Sequence, residues 1–362
     1  MTEVTISDRV RGSLLGGAAG DALGAPIEFW DLAEIRYRCG PSGLTGFLSS
    51  REAPQEVTDD TQMTLFTAEA LLRSRPGTDP VPALRDAYLR WLRTQRHEEP
   101  APGNDSWLAE HEFLYAVRAP GNACLSGLER QREVLCPPHR VGEPGPVNPD
   151  SKGCGTVMRS APFGLAGFGP ETAFALAARG AQLTHGHPTG YFAAGALAAV
   201  LDRVLAGVGL PEAVERTIEQ LSGQVGAEET VEALELAVDS AGGASAERVE
   251  EVGAGWVAEE CLAIAVHCAL YAARTGDVRG ALLLSVNHSG DSDSTGAVAG
   301  NLLGAAHGLA ALPSEWVTAV EGYDTIVRVA DDLVANFFLG DRAALGARYP
   351  FGEPSDAVTP AS

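Results

Sequence analysis

Basic residues are scarce in this chain. Lysine and arginine number 26 against 48 aspartates and glutamates, a formal net charge of −22. A protein that tracks a phosphate backbone needs a basic face, and one that adsorbs to an anionic membrane needs a polybasic patch. Nucleic acid and membranes are therefore not expected as partners. Aromatics are thin as well, at 6%. The six cysteines, Cys39, Cys124, Cys136, Cys154, Cys261 and Cys268, form no C-x-x-C pair. Zinc knuckles are excluded, and reduced, mostly buried thiols in a cytoplasmic protein are expected. A membrane-length apolar run is missing too. The longest stretch, 296–313, carries Asn301 and His307 and is built from small residues, unlike a spanning helix. A secretory leader is not expected either, because Glu3 and Asp8 stand where it needs positive charge and Asp21 breaks its apolar run. Sustained period-two alternation is absent, which leaves little for strands.

Glycine, by contrast, is abundant: 42 of 362 residues, about 12% against a usual 7% or so. Helical spacing of apolar residues predicts helices over 10–19, 61–74, 82–94, 211–221, 228–241 and 254–273. A further helix is predicted over 295–309, where the residues are mostly glycine and alanine. Glycine costs up to about 1 kcal/mol against alanine inside a helix, so its repeated use there points to close helix contacts or room for a ligand. Segment 137–150 holds five prolines and is expected to be an irregular loop, with a lid over a site as one possible use. No linker or internal repeat divides the chain. One all-α domain is expected over 1–349, with a disordered tail over 350–362 and a monomeric state.

Two segments concentrate oxygen ligands ahead of helices. They are Thr58-Asp59-Asp60-Thr61 and Gly290-Asp291-Ser292-Asp293-Ser294-Thr295-Gly296. Helix capping explains one acid per helix. It explains two poorly, because adjacent carboxylates repel. Thr58, Asp59, Asp60, Asp291, Asp293 and Ser294 together offer hard oxygen donors with no Cys or His set beside them, which suits two Mg²⁺ or Mn²⁺ ions. The second segment fits positions one, three, five and six of a calcium loop. Position twelve is Leu302, not a bidentate Glu, so that reading is discarded.

Three other constellations stand out. Segment 20–28 ends in Glu28, beside Ile27, Phe29 and Trp30, where partial burial raises a carboxyl pKa and suits acid–base or gating work. Ser151-Lys152-Gly153-Cys154-Gly155-Thr156-Val157-Met158-Arg159 has the glycines of a backbone cradle for phosphate, without the spacing of a nucleotide-binding loop. Thr184-His185-Gly186-His187-Pro188 carries two histidines, better suited to hydrogen bonding than to metal ligation. His267, His288 and His307 are expected to be packing or loop-shaping residues.

GDALGAPIE (20–28), TDDT (58–61), SKGCGTVMR (151–159), THGHP (184–188) and GDSDSTG (290–296) occur in this order. Together they resemble the ADP-ribosylglycohydrolase family over about residues 9–340. The resemblance implies a compact, orthogonally packed all-α fold with a dinuclear Mg²⁺ or Mn²⁺ centre in a cleft. It implies hydrolysis of the bond between ADP-ribose and an acceptor, a modified protein side chain or a small conjugate, releasing ADP-ribose. By motif position it makes Thr58, Asp59, Asp60, Asp291, Asp293 and Ser294 metal ligands, with Glu28, Asp60 and Asp291 acting in catalysis. Gly153, Cys154, Gly155, Met158 and His185 then line the ADP-ribose cleft, with Gly121 and Asn122 beside the acceptor. One departure matters. The family's best-known bacterial member carries an Asp shortly before a Gly-Asn pair, near an arginine-linked ribose. Here Arg118-Ala119-Pro120-Gly121-Asn122-Ala123-Cys124 has no carboxylate. Two other readings suit parts of the pattern: a two-metal phosphohydrolase, and an ADP-ribose-binding descendant without turnover.

Overall fold

The structure is a computed structural model that describes residues 4–48, 53–100, 102–243 and 245–351. Its helices in chain order are α1 Ile6–Gly24, α2 Leu32–Cys39, α3 Asp59–Arg73, α4 Val81–Thr94, α5 Asn122–Glu133, α6 Ala161–Leu165, α7 Pro170–Ala181 and α8 Pro188–Leu205. There follow α9 Leu210–Leu221, α10 Glu228–Ser240, α11 Ala246–Val252, α12 Ala258–Thr275, α13 Val278–Val286, α14 Ser292–His307, α15 Ser314–Val317 and α16 Tyr323–Phe337. Among the described residues the only extended pairings are two isolated bridges, Gln55 with Val320 and Gly153 with Val257. The fold is all-α, one domain around a single continuous apolar core.

Glycine spacing sets the central contact. Gly12, Gly16, Gly20 and Gly24 fall every fourth residue on one face of α1. They meet Gly304, Gly300, Gly296 and Ser292 of α14, so the two helices run antiparallel with their backbones touching. A methyl group at Gly16 would stand 2.5 Å from the Gly300 carbonyl oxygen, and one at Gly12 2.7 Å from that of Gly304. Only hydrogen fits between the backbones. The antiparallel arrangement brings the C-terminal turn of α1 beside the N-terminus of α14, and Asp21 at that turn accepts the Thr58 and Thr61 N–H groups at the start of α3. Three helix ends that are distant in sequence meet at one point.

Two differences from the predicted helices have physical causes. The helix expected from 254 starts only at Ala258, because 253–257 is an irregular turn with Gly255 at φ 83° and its backbone groups are bonded elsewhere. Cys154 N–H donates to Trp256 O, Ala258 N–H to Lys152 O, and Asp291 N–H to Ala254 O. Helix α8 was not predicted: every residue from Thr189 to Leu205 is buried, so no polar stripe marks its period. The 137–150 loop is irregular, as expected, and packs against the body of the domain. Asn148 Nδ2 donates to Ala123 O (3.1 Å) and Thr184 O (2.8 Å), and Gly142 N–H to the Tyr191 hydroxyl (2.8 Å). The loop braces α5 and α8 from behind. At the C-terminus Phe351 lies under the Arg342 guanidinium, 4.3 Å from its ring centre. The rest of the expected tail, 352–362, lies outside the described residues.

Candidate active site

A cleft of about 290 Å³ opens where these helix ends meet. Glu28 and Phe29 enter it from the turn after α1, Asp59 and Asp60 from the start of α3, and Asp291, Asp293 and Ser294 from the start of α14. The facing wall is formed by Gly153, Cys154, Gly155, Met158 and His185, with Ala119 to Ala123, Gly121 and Asn122 included, at one side and Trp256 at the other. Of the residues singled out from the sequence, Thr58 alone stands behind the wall. It is buried, its hydroxyl accepts the Asp60 N–H (3.3 Å), and it caps α3.

Capping accounts for part of the acidic pattern. Thr58 caps α3 and Asp291 caps α14, accepting the Ser294 N–H at 3.2 Å. Asp59, Asp60 and Asp293 need another explanation. Glu28, Asp291 and Asp293 each place a carboxylate oxygen within 4.8 Å of the others. The Asp60 Oδ1 atom is buried with no hydrogen-bond partner. Burial and the Asp293 charge push Asp21 up to about 7. Burial, then Asp293, Asp59 and Asp21, push Glu28 up to about 8. Burial pushes Asp59 up to about 8 against the pull of the Gly121 N–H. Asp60 and Asp291 lie well above the ordinary range, chiefly through burial and then Asp293, and Asp293 is itself raised by burial. The groups that pull these acids down are N–H, hydroxyl, thiol and carboxyl donors. Carboxylates gathered this way out of water are strongly destabilised unless a cation joins them. The donor set is hard oxygen, which fits Mg²⁺ or Mn²⁺. Soft groups stand at its edge: the Cys154 thiol, which helps to lower the Asp291 carboxyl, and the Met158 thioether, 3.9 Å from the Ser294 hydroxyl.

The glycine segment is less of a phosphate cradle than its sequence promised. The Cys154 N–H is already bonded to Trp256 O at 3.1 Å. Gly155 is small for packing: a methyl group there would meet Cys124 Sγ at 2.7 Å and His185 Cε1 at 3.1 Å. The Gly121 N–H is also engaged, with Asp59 Oδ2 at 3.2 Å. Three features of the site escaped the sequence reading. Asp21 is fully buried and holds the start of α3, but in the sequence it interrupted an apolar run and belonged to the 20–28 motif without a role of its own. Phe29 and Trp256 stack at the mouth, ring centroids 5.7 Å apart and 23° between planes, although they are far apart in the sequence. Ala119, at φ 46°, is a non-glycine residue in the left-handed region. Arg118 anchors its loop through Val57 O (2.6 Å) and Glu321.

Fold and site together define a class: an all-helical enzyme-like domain whose cleft gathers buried acids from three helix ends. The sequence profile of the ADP-ribosylglycohydrolases matches residues 2–342, and the chain belongs to that family of hydrolases. It is 26% identical over 326 residues to the ADP-ribosyl-[dinitrogen reductase] glycohydrolase of Rhodospirillum rubrum, covering 89% of this chain and 93% of the relative. It is 26% identical to the ADP-ribosylhydrolase ARH3 of Danio rerio, covering 92% and 91%. It is 26% identical to the ADP-ribosylarginine hydrolase Tri1 of Pseudomonas putida (strain GB-1), covering 90% and 78%. A solved structure described as an ADP-ribosylglycohydrolase-related protein complex superposes with a TM-score of 0.60 at 29% identity, covering 91% of this chain and 97% of that one. Among the described residues, no helix is long and apolar enough to cross a membrane.

Proposed function

We propose that this chain hydrolyses the glycosidic bond between ADP-ribose and an acceptor, using two Mg²⁺ or Mn²⁺ ions, and releases ADP-ribose. The observation that carries the reading is the set of buried, unneutralised carboxylates around the partnerless Asp60 Oδ1. In this reading Asp59, Asp60, Asp291 and Asp293, with the Thr58 and Ser294 hydroxyls, hold the ions. When bound, the ions neutralise the acids and lower the pKa of water beside them. In this reading Glu28, Asp60 and Asp291 are the acids that act on the reacting carbon. A carboxylate there stabilises the positive charge that builds at C1′ as the acceptor bond breaks, and takes the proton that water loses. Glu28, the acid beside the exposed Phe29, is placed to pass that proton to the departing acceptor. Gly153, Cys154, Gly155, Met158 and His185 bind the ADP-ribose, and Gly121 and Asn122 face the acceptor.

The lining from Ala119 to Ala123 contains no acid to pair with a guanidinium, which favours an acceptor other than arginine. The test is a panel of ADP-ribosylated arginine, serine, nucleic-acid ends and O-acetyl-ADP-ribose, with and without EDTA. Release of ADP-ribose that EDTA abolishes and Mg²⁺ or Mn²⁺ restores is expected. Full turnover in EDTA overturns the metal role, and AMP or phosphate as product overturns the glycosidic chemistry.

A further inference from the structure

The wall opposite the acids hides a charge of the other sign. Arg159 is 1% exposed. Its polar partners among the described residues are a hydroxyl, a thiol and a thioether, and its guanidinium lies 4.6 Å from the Tyr88 ring centre. None of these is an anion. A buried cation without an anion is costly, and its shortest contact is with Thr184. Arg159 Nη2 donates to Thr184 Oγ1 at 2.6 Å, and Thr184 Oγ1 lies 2.7 Å from His185 Nδ1.

We propose that Arg159 is a positioning residue: through Thr184 it holds His185 as the tautomer with its proton on Nε2, so that the cleft wall presents an N–H donor to an oxygen of bound ADP-ribose. This rests on the reading of His185 as part of the substrate site.

The hydroxyl decides the tautomer. Thr184 Oγ1 accepts a charge-assisted bond from Arg159, which polarises its own O–H toward donation and weakens its remaining lone pair. Its hydrogen has two possible acceptors: His185 Nδ1 at 2.7 Å, or Ala181 O at 3.3 Å. The shorter contact wins. An N–H on Nδ1 would instead point its positive end toward the guanidinium. Nδ1 therefore accepts, and the ring's one proton sits on Nε2. The ring stays neutral, because burial and the Arg159 charge push its pKa down to about 3. Nε2 faces the glycine strip: a methyl group placed on Gly153 or on Gly155 would be 3.4 Å from it. Among the described residues no protein acceptor takes Nε2, and His185 lines the cleft.

The experiment is long-range ¹H–¹⁵N correlation NMR on the full chain labelled at histidine, loaded with Mg²⁺, with His185 assigned by its absence in His185→Ala. The expected wild-type pattern is protonated Nε2 and bare Nδ1. In Thr184→Val the side chain keeps its shape but loses the relay, so the pattern should move toward the other tautomer. The ADP-ribose Kd should then rise about tenfold, the worth of one hydrogen bond. Thr184→Ser should restore both within about twofold. A wild-type proton on Nδ1, or a Thr184→Val tautomer identical to wild type, overturns the relay. If the valine variant does not fold, the wild-type spectrum decides alone. An ADP-ribose affinity unchanged in His185→Ala overturns instead the placement of His185 in the substrate site, whatever the tautomer.

Discussion

Asp293 is the acid through which the others in the cleft feel one another. Its charge contributes to raising Asp21, Glu28, Asp59, Asp60 and Asp291. Its own carboxylate is steadied by the Ser294 N–H at 2.9 Å. Asparagine preserves that Oδ1 acceptor and removes the charge. Asp293→Asn should therefore stabilise the chelated protein, by about 1–2 kcal/mol through relief of like-charge repulsion, while ion affinity falls. Thermal melts in EDTA against melts over a Mg²⁺ titration measure both. A lower melting temperature in EDTA would show that the carboxylate serves structure and not ion binding. Glu28 works by holding a proton and not by its charge. Its neighbours raise it into the neutral range, where an acid both holds and gives up a proton. Glu28→Gln keeps the volume and loses the proton, so turnover should fall about 100-fold or more while the ADP-ribose Kd stays within about threefold. An unchanged turnover removes Glu28 from the chemistry.

Helix pairing is where glycine acts. In an isolated helix Gly→Ala is stabilising by about 1 kcal/mol. Between α1 and α14 the sign reverses, because the added methyl at Gly16 meets a carbonyl oxygen at 2.5 Å and the helices must separate. Overpacking of this kind costs about 1–3 kcal/mol, and here it also displaces Asp21 and Glu28 from Asp291 and Asp293. Gly16→Ala should lower the urea midpoint and weaken Mg²⁺ binding together; a raised midpoint would mean that the helices do not touch. This scale also shows what the sequence could disclose. The acids, the small-residue helix α14 and the amphipathic helices α4, α9 and α10 were legible because each leaves a local signature; the matched four-residue glycine spacing of α1 and α14 emerged only from their contact. Helix α8 was not, since burial on all sides erases its period. Phe29 and Trp256 were not, since only the tertiary fold makes them neighbours. Residues 254–257 were misassigned for a related reason: backbone bonds from this segment and Ala258 to Cys154, Asp291 and Lys152 hold it out of the helix despite its helical composition.

For the molecule as a whole, the net charge of −22 combines two populations that salt and pH separate. Most of the acids are on the surface, and their mutual repulsion is screened within about 10 Å at ordinary ionic strength. The cleft acids are out of water and barely screened. In the unfolded chain carboxyls titrate near pH 4, whereas folding raises Asp21 to about 7 and Glu28 and Asp59 to about 8. Between those limits the folded protein binds more protons than the unfolded one, so stability falls as pH rises. The contribution is complete below the unfolded value and lost as pH passes the folded one. In EDTA the melting temperature should therefore drop as pH rises from about 5 to about 8.5, and the drop should persist in about 0.5 M salt. Saturating Mg²⁺ should flatten the curve, with the largest rescue at the alkaline end, because the ions replace the protons as the source of positive charge. A drop that salt abolishes would assign the effect to the surface. A flat curve in EDTA would mean that the six cleft acids do not share a buried field, which would leave the ion-binding reading without its electrostatic basis.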